Sequence, residues 1–315
     1  MNEETFGQDD SVMTVGEMSA TTIENCILYT APDRQELSMA FNFHHLKVDY
    51  EAGQKWTLKA FDFEELKRLF HTWGKEMSNH EGWSALFWNN NDQPRALNRF
   101  VDVENFRNEG ATMLAASIHL SRGTPYIYMG EEIGMVDPNY DSMEDYVDVE
   151  SLNAYQGLLA EGQSPEAAFR IIKAKSRDNS RTPMQWDDLA NAGFTTGTPW
   201  LKAGKSYPII NVENEIKGPI FTFYQKLIAL RKELPIIAEG SYQPAYEDSP
   251  QVYAFEREWQ GQKLLVLNNF YKDPITVDIL PDYQNGQVLL SNYGRTQIDH
   301  ILTLQPYETL AILVN

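Results

Sequence analysis

Val12-Met13-Thr14-Val15-Gly16-Glu17-Met18 and Ala85-Leu86-Phe87-Trp88-Asn89-Asn90-Asn91-Asp92-Gln93-Pro94-Arg95 are the two stretches whose reading decides the fold. Each puts a carboxylate, Glu17 or Asp92, just after a short β-prone apolar run, Val12 to Val15 or Ala85 to Trp88, where a strand ends and a loop begins. In a β/α barrel the C-terminal ends of the strands open onto one shared face, and catalytic groups gather there. Carboxylates converging on such a face suit glycosidic bond cleavage: one protonates the leaving oxygen while others stabilise positive charge at the sugar carbon. The distance between the two runs leaves room for two further strand–helix units.

Working outward, the chain alternates between the two periodicities. Phe6 to Asp10 reads as a polar, mobile lead-in, Glu24 to Thr30 as a short helix and Leu37 to Phe43 as a strand. Phe63, Leu66, Leu69, Phe70 and Trp73 fall at the spacing of an amphipathic helix over 61–73, and Met113, Leu114, Ala116 and Ile118 mark another over 109–120. Tyr126 to Met129 reads as a last barrel strand, which makes four strands in a βα pattern. Residues 137–220 form a long insert with helical pieces at 149–158 and 165–175, and 221–233 is a closing helix. Beyond Ile236, β-prone runs at 252–258, 263–268, 276–280, 287–290 and 308–314 alternate with turns, and Asn285-Gly286 predicts a two-residue hairpin. That tail reads as an antiparallel β-sandwich.

Composition narrows the function classes. A chain of 315 residues, 42% of them hydrophobic, can bury a sizeable core. Its 45 acidic residues against 26 basic ones give a net charge of −19, which argues against nucleic-acid binding. The same field repels a phosphorylated sugar unless local cations override it. One cysteine, Cys26, excludes an internal disulfide and favours a reducing compartment; we read it as a small helix-packing residue. No leader-like segment and no apolar run long enough for a bilayer occur, so a cytoplasmic protein without membrane partners is expected.

Six runs then occur in a recognisable order: Val15 to Met18, Phe41 to His45, Asn90 to Arg95, Gly123 to Tyr128, Gly130 to Met135, and Ser176 to Trp186. In order and wording the chain resembles the α-amylase family of glycoside hydrolases, in its oligo-1,6-glucosidase branch. The resemblance implies an α/β fold: the C-terminal half of a (β/α)8 TIM barrel over residues 1–235, then an all-β antiparallel sandwich over 236–315. Family members carry a nucleophilic Asp in a Gly-x-Arg-x-Asp run on the fourth strand, and no such run occurs in these 315 residues. The resemblance therefore implies a chain that begins at the approach to strand five, with Met1 an internal methionine of a longer frame. It also implies inactivity in isolation, and a partner that is either the N-terminal half of the barrel or a second copy. Within that branch the stretch Glu17 to Tyr50 is most similar to members acting on a phosphorylated disaccharide, which implies a retaining α-glucosidase that cleaves trehalose 6-phosphate to glucose and glucose 6-phosphate. The alternatives are an α-glucosidase for isomalto-oligosaccharides and, in another class, a non-catalytic remnant or binding protein.

The resemblance also assigns residues. Glu17 matches the general acid/base, whose carboxyl must be protonated near neutral pH through burial or a second carboxylate. Asp92 matches the third family carboxylate, and Asn91 replaces the usual His, keeping one amide donor and losing the capacity for charge. His44, His45, Lys47 and Lys55 follow the second strand as a candidate phosphate-docking cluster, or as ordinary solvated loop residues. Arg95 is expected to point toward the Asp92 side of the pocket, on a family carboxylate or a sugar hydroxyl, or else in a structural salt bridge. Arg177, Asp178, Arg181 and Trp186 match a loop roofing the pocket, with Trp186 as packing. Glu131 and Glu132 read as loop-ordering groups. The acidic run Asp137, Asp141, Glu144, Asp145, Asp148, Glu150 reads as a solvated face, since it lacks the order of a calcium loop. No metal and no cofactor are expected.

Overall fold

The computed structural model describes residues 2–9 and 11–315. Met1 and Asp10, on which two of the readings above fall, lie outside the described residues. The first half alternates strand and helix: β1 (Val15–Glu17), α1 (Ile23–Thr30), β2 (Met39–Phe41), α2 (Phe63–Asn79), β3 (Ala85–Leu86), then the short helix Ala96–Phe100 ahead of α3 (Val103–His119), and β4 (Thr124–Pro125). Helix starts follow local chemistry. The Thr22 hydroxyl accepts the Asn25 amide at 3.3 Å and the Asp62 carboxylate accepts the Glu65 amide at 3.0 Å, each satisfying an orphan donor of the first turn. The strands run parallel and side by side: Val15 faces Met39, Glu17 faces Phe41, a bridge joins Ala40 to Ser84, and Ala85 faces Thr124. They form a four-stranded arc of a barrel. Among the described residues, the outer edges of β1 and β4 have no strand partner.

Where β4 was expected over 126–129, the strand is earlier and shorter. The Tyr126 amide still reaches the Leu86 carbonyl at 2.8 Å, but the Glu131 amide closes a turn on the Tyr128 carbonyl at 3.0 Å. Helices α4 (Val149–Ala160) and α5 (Pro165–Lys175) fill the insert, and α6 (Pro219–Glu233) packs back on α3. Proline at the first position starts both α5 and α6, where its missing N–H is an orphan anyway.

The C-terminal part is a β-sandwich. Strands β5 (Gln243–Ala245), β6 (Val252–Trp259), β7 (Gln262–Asn269), β9 (Gln287–Ser291) and β11 (Thr309–Val314) form an antiparallel sheet in the order β5-β6-β7-β11-β9. The pair β8 (Ile275–Asp278) and β10 (Ile301–Leu304) covers its far face. The hairpin expected at Asn285-Gly286 does not form. Pro281–Tyr283 is a 3-10 turn there, and β9 pairs with β11 instead of β8. Successive side chains of β6, β7 and β11 go to opposite faces. Val252, Ala254, Leu265, Leu267, Leu310 and Ile312 meet β8 and β10, while Tyr253, Phe255, Leu264, Val266, Ala311 and Leu313 join the helices of the arc. Both faces are buried, so these strands read as continuous apolar runs. One core, with Leu66 of α2, Met113 and Leu114 of α3 and Leu227 of α6, runs from the barrel arc into the sheet. Cys26 is buried, and burial pushes its thiol up to about 11. Among the described residues no helix is long and apolar enough to cross a membrane.

A buried arginine ties the two parts. Arg257 on β6 donates to the carbonyls of Ser241 (2.8 Å), Leu120 (3.0 Å), Ile237 (2.7 Å) and Gly240 (2.6 Å). Leu120 is the C-cap of α3, where a cation also meets the negative end of the helix dipole. Replacing it, Arg257→Leu, leaves four buried carbonyls without donors. We expect a loss of about 3–5 kcal/mol, given 1–3 kcal/mol for each unsatisfied group with partial relaxation. Urea unfolding followed by far-UV circular dichroism measures it, and a loss below about 1 kcal/mol contradicts the clamp.

Three histidines make the fold acid-sensitive. Burial pushes His45 and His119 down to about 3 and His71 down to about 4. The unfolded chain takes up protons from about 6.5 downward, so it binds more protons than the native state between there and 3–4. Stability contributed by the neutral rings is present above that unfolded value and is lost as pH falls. The melting temperature is expected to drop between pH 7 and pH 4.5, and to drop less in His71→Phe.

Candidate active site

The C-terminal ends of the four strands meet around a cavity of about 210 Å3 lined by Glu17, Phe41, Phe43, Phe87, Asn89, Asn90, Asn91, Tyr126, Ile127 and Tyr128. Its floor is aromatic. Phe41 packs edge-on against Phe87 (ring centroids 5.0 Å apart) and Tyr126 (4.7 Å), and Phe43 against Phe87 (5.2 Å). Such rings offer apolar faces to a sugar while polar groups fix its orientation. Sequence reading missed Phe43, Phe87 and Tyr126 as a wall. The signal was there: Phe41 and Phe43 sit two apart at a strand end and so point to one side.

Glu17 is exposed, and among the described residues its carboxylate has neither a hydrogen bond nor an ion pair. The burial its implied acid role requires is therefore not supplied by this arc. Asn91 also lines the cavity. Asp92, next in the chain, turns its carboxylate to Arg181 (2.9 Å) and Arg177 (3.3 Å), and Arg181 Nε donates to the Asn91 carbonyl at 2.6 Å. The roofing loop thus does reach the β3 end through its two arginines. Trp186, expected to pack, is 49% exposed.

The β3 end is rigidly held. Trp88 Nε1 donates to the Leu114 carbonyl at 2.8 Å and the Ser117 hydroxyl at 3.1 Å, which fixes the strand to α3. Asn89 donates to Glu131 at 2.7 Å and accepts the Ala96 amide at 2.7 Å, while Tyr224 of α6 donates to the other Glu131 oxygen at 2.7 Å. Burial raises the Glu131 carboxyl, and these bonds pull it part of the way back. Glu131 orders the loop, as expected; the Glu132 carboxylate has one buried oxygen without a partner among the described residues.

Two site expectations are corrected. Arg95 is 1% exposed and does not line the cavity; its guanidinium donates to the Met129 carbonyl (2.6 Å) and the Ser180 carbonyl (3.5 Å), and lies 5.3 Å from the Tyr128 ring centroid. The His and Lys constellation is not one cluster. Lys47 donates to the Ser19 carbonyl at 3.0 Å, and His44 pairs with the Thr21 carbonyl at 2.8 Å, both in the loop after β1. His45 is buried on the Phe87 carbonyl at 2.9 Å. Lys55 instead binds Glu150, at 2.9 and 3.1 Å, at the start of α4. The acidic run is a solvated face only in part: Asp141 is 78% exposed beside Lys205, whereas Asp145 on Lys202 and Asp148 on Arg177 are 11% and 5% exposed. Among the described residues no group of three or more His, Cys, Asp or Glu is placed to hold a metal ion.

Strand ends that carry a carboxylate above an aromatic pocket, with asparagines on the neighbouring rim, are the ligand face of a β/α barrel. The chain belongs to the α-amylase family: the profile described as "Alpha amylase, catalytic domain" matches residues 1–240, and "Alpha-amylase SusG C-terminal domain" matches 252–310. It is 46% identical to trehalose-6-phosphate hydrolase of Bacillus subtilis over 98% of its own length and 56% of that relative's. It is 44% identical to an oligo-1,6-glucosidase of Halalkalibacterium halodurans, covering 97% of this chain and 55% of that protein. The crystal structure of Bacillus licheniformis trehalose-6-phosphate hydrolase superposes with a TM-score of 0.94 at 47% identity, over 99% of this chain and 57% of the other. The chain spans little more than half the length of the curated relatives it matches.

Beneath the rim, Asp137 accepts from the Arg95 amide (2.9 Å) and the Asn179 amide group (3.1 Å), and burial pushes its carboxyl up to about 7. Its side-chain carboxyl carbon is expected to titrate near pH 7 in NMR, and a midpoint near 4 would contradict this burial.

Proposed function

We propose that this chain carries the acid/base half of a retaining α-glucosidase whose substrate is trehalose 6-phosphate. The observation that carries the reading is Glu17 at the end of β1, above the aromatic cavity that Asn91 also lines, with Asp92 next to it on the β3 rim. In this reading Glu17 protonates the leaving oxygen and later activates water. Asp92, held by Arg177 and Arg181, strengthens its contacts to sugar hydroxyls as the oxocarbenium-like state forms. Asn91 donates a neutral hydrogen bond in place of an imidazole. A retaining enzyme needs a second carboxylate about 5–5.5 Å from the acid, and among the described lining residues Glu17 is the sole carboxylate. The free edges of β1 and β4 are where a polypeptide supplying further parallel strands would add it. The one buried cysteine accords with a cytoplasmic setting.

A second reading, an oligo-1,6-glucosidase, draws on the engagement of Lys47 with Ser19 and of Lys55 with Glu150, which leaves neither lysine free for phosphate in this structure.

The test is reconstitution. We expect no hydrolysis of p-nitrophenyl α-glucoside by the chain alone. Turnover of trehalose 6-phosphate is expected when the chain is joined to the N-terminal portion of the Bacillus subtilis relative, and Glu17→Gln should lower its kcat by about 100-fold or more. Unchanged kcat in Glu17→Gln overturns the assignment. Turnover of isomaltose at the rate of the phosphorylated substrate selects the second reading.

A further inference from the structure

Asn285-Gly286, which forms no hairpin, carries a chemistry of its own. It is the sole Asn-Gly pair in the chain. The pair sits between the 3-10 turn Pro281–Tyr283 and Gln287, the first residue of β9. Asn285 is exposed, and among the described residues its side-chain amide has no hydrogen-bond partner. An asparagine amide is open to attack at Cγ by the backbone nitrogen of the next residue, which gives up its proton. The new C–N bond closes a five-membered imide and expels ammonia. Water then opens the imide at either carbonyl and leaves aspartate or isoaspartate, so one water is consumed for each ammonia released. Glycine favours the attack, because it has no Cβ to crowd the nitrogen and the widest choice of backbone angles.

Two features of the fold act on this step. The Gly286 N–H donates to the Tyr283 carbonyl at 2.9 Å, so the nucleophile is engaged while the turn stays closed. Gly286 is also pressed against β11, where a Cβ would collide with Ile312. That packing requires glycine at 286 and so retains the reactive pair, while the closed turn restrains it. Asn179-Ser180, another asparagine followed by a small residue, is buried, and its amide group is held by Asp137 and by the Lys173 carbonyl.

We infer that Asn285 is a deamidation site whose rate is set by opening of the 281–286 turn, and that its isoaspartyl product releases the start of β9. Isoaspartate routes the main chain through the side-chain carboxyl and so adds a backbone carbon just ahead of the strand. Gly286 on Ile312 leaves no slack for that carbon. β9 lies at the edge of the sheet with β11 as its one neighbour, and Gln287 on Leu313 and Val288 on Ile312 are the pairs nearest the insertion. A change in spacing there breaks their register. The far end stays anchored, because Asn292 donates to the carbonyls of Glu109 (3.2 Å) and Tyr307 (2.9 Å). Fraying is therefore confined to 287–290.

The full chain is held in mildly alkaline buffer, either folded or unfolded in guanidinium. Residue 285 is followed by peptide mass spectrometry with fragmentation that separates aspartate from isoaspartate. Both products are expected at 285 in the folded chain, about tenfold more slowly than in the unfolded one, the scale of one backbone hydrogen bond that must open first. Pro281→Gly, which frees the first residue of the turn, should narrow that gap. Hydrogen exchange on the separated isoaspartyl chain should show protection lost at 287–290 and kept in β6 and β7. Asn285→Gln, whose ring would need an extra member, should stay unmodified at 285 and keep the exchange pattern of the fresh chain. Three results overturn the inference: neither product in the folded chain once the unfolded chain has converted completely, equal rates in the two states, or full protection of 287–290 in the isoaspartyl chain.

Discussion

The strands of the arc contribute ladders of only two or three residues, so their hydrogen bonds alone do not hold them in place. What holds them is the shared packing of α2, α3 and α6 against one face of the five-stranded sheet. An open arc has no closed interior of its own. The support comes from the outside, where Tyr253, Phe255, Leu264 and Val266 press against the helices behind the strands. Arg257 and Arg231 finish the joint by collecting carbonyls around the C-terminal end of α3, among them Leu120 for the first and His119 and Ser121 for the second. The β-sheet is thus part of the scaffold of the site. Trp88 transmits it: the ring sits in the core against Phe70 and Phe100, and the next residues are Asn89 to Asp92.

Electrostatics follows the same division. The deepest pairs are structural. Asp49 takes both Arg99 and Lys175; burial raises its carboxyl, and the two cations more than offset that, so it ends below the usual range. A buried carboxylate with two cations tolerates removal of neither neighbour well, because each leaves an uncompensated charge. Farther out the pairs are more exposed, with Asp92 and Glu150 at 35% and 38%. Exposed pairs of this kind contribute little to stability, so the buried pair on Asp49 carries the structural weight.

Much of this was legible in the chain. Helical spacing located α2, and apolar runs located β6, β7 and β11, because burial on one face or on both leaves a periodic or a continuous signature. Glu17 and Asn91 line the cavity at strand ends, and a strand end is a local feature. The errors share a cause: each depended on partners distant in sequence. Arg95 reads like a pocket cation until Met129 and Ser180 arrive to bury it. Lys55 reads like a neighbour of Lys47 until α4, ninety-five residues on, claims it. Asn285-Gly286 has the chemistry of a hairpin, but β9 finds β11, and pairing across the sheet overrides the local turn.

Glu17 shows what an arc does and does not provide. Its backbone is placed by β1 pairing with β2, and its pocket by Phe41, Phe87 and Tyr126, so position is settled within these residues. Protonation is another matter. A carboxyl serves as a general acid near neutral pH when desolvation or a neighbouring carboxylate disfavours its charge. Exposed Glu17 has neither among the described residues, and the side that lies open is the outer edge of β1. A strand laid along that edge would cover Glu17 and bring its own strand-end residues to the same face. In the proposed reading that strand would also carry the partner carboxylate. β1 and β2 set the placement of Glu17, and the acid role proposed for it would be completed by a strand beyond them.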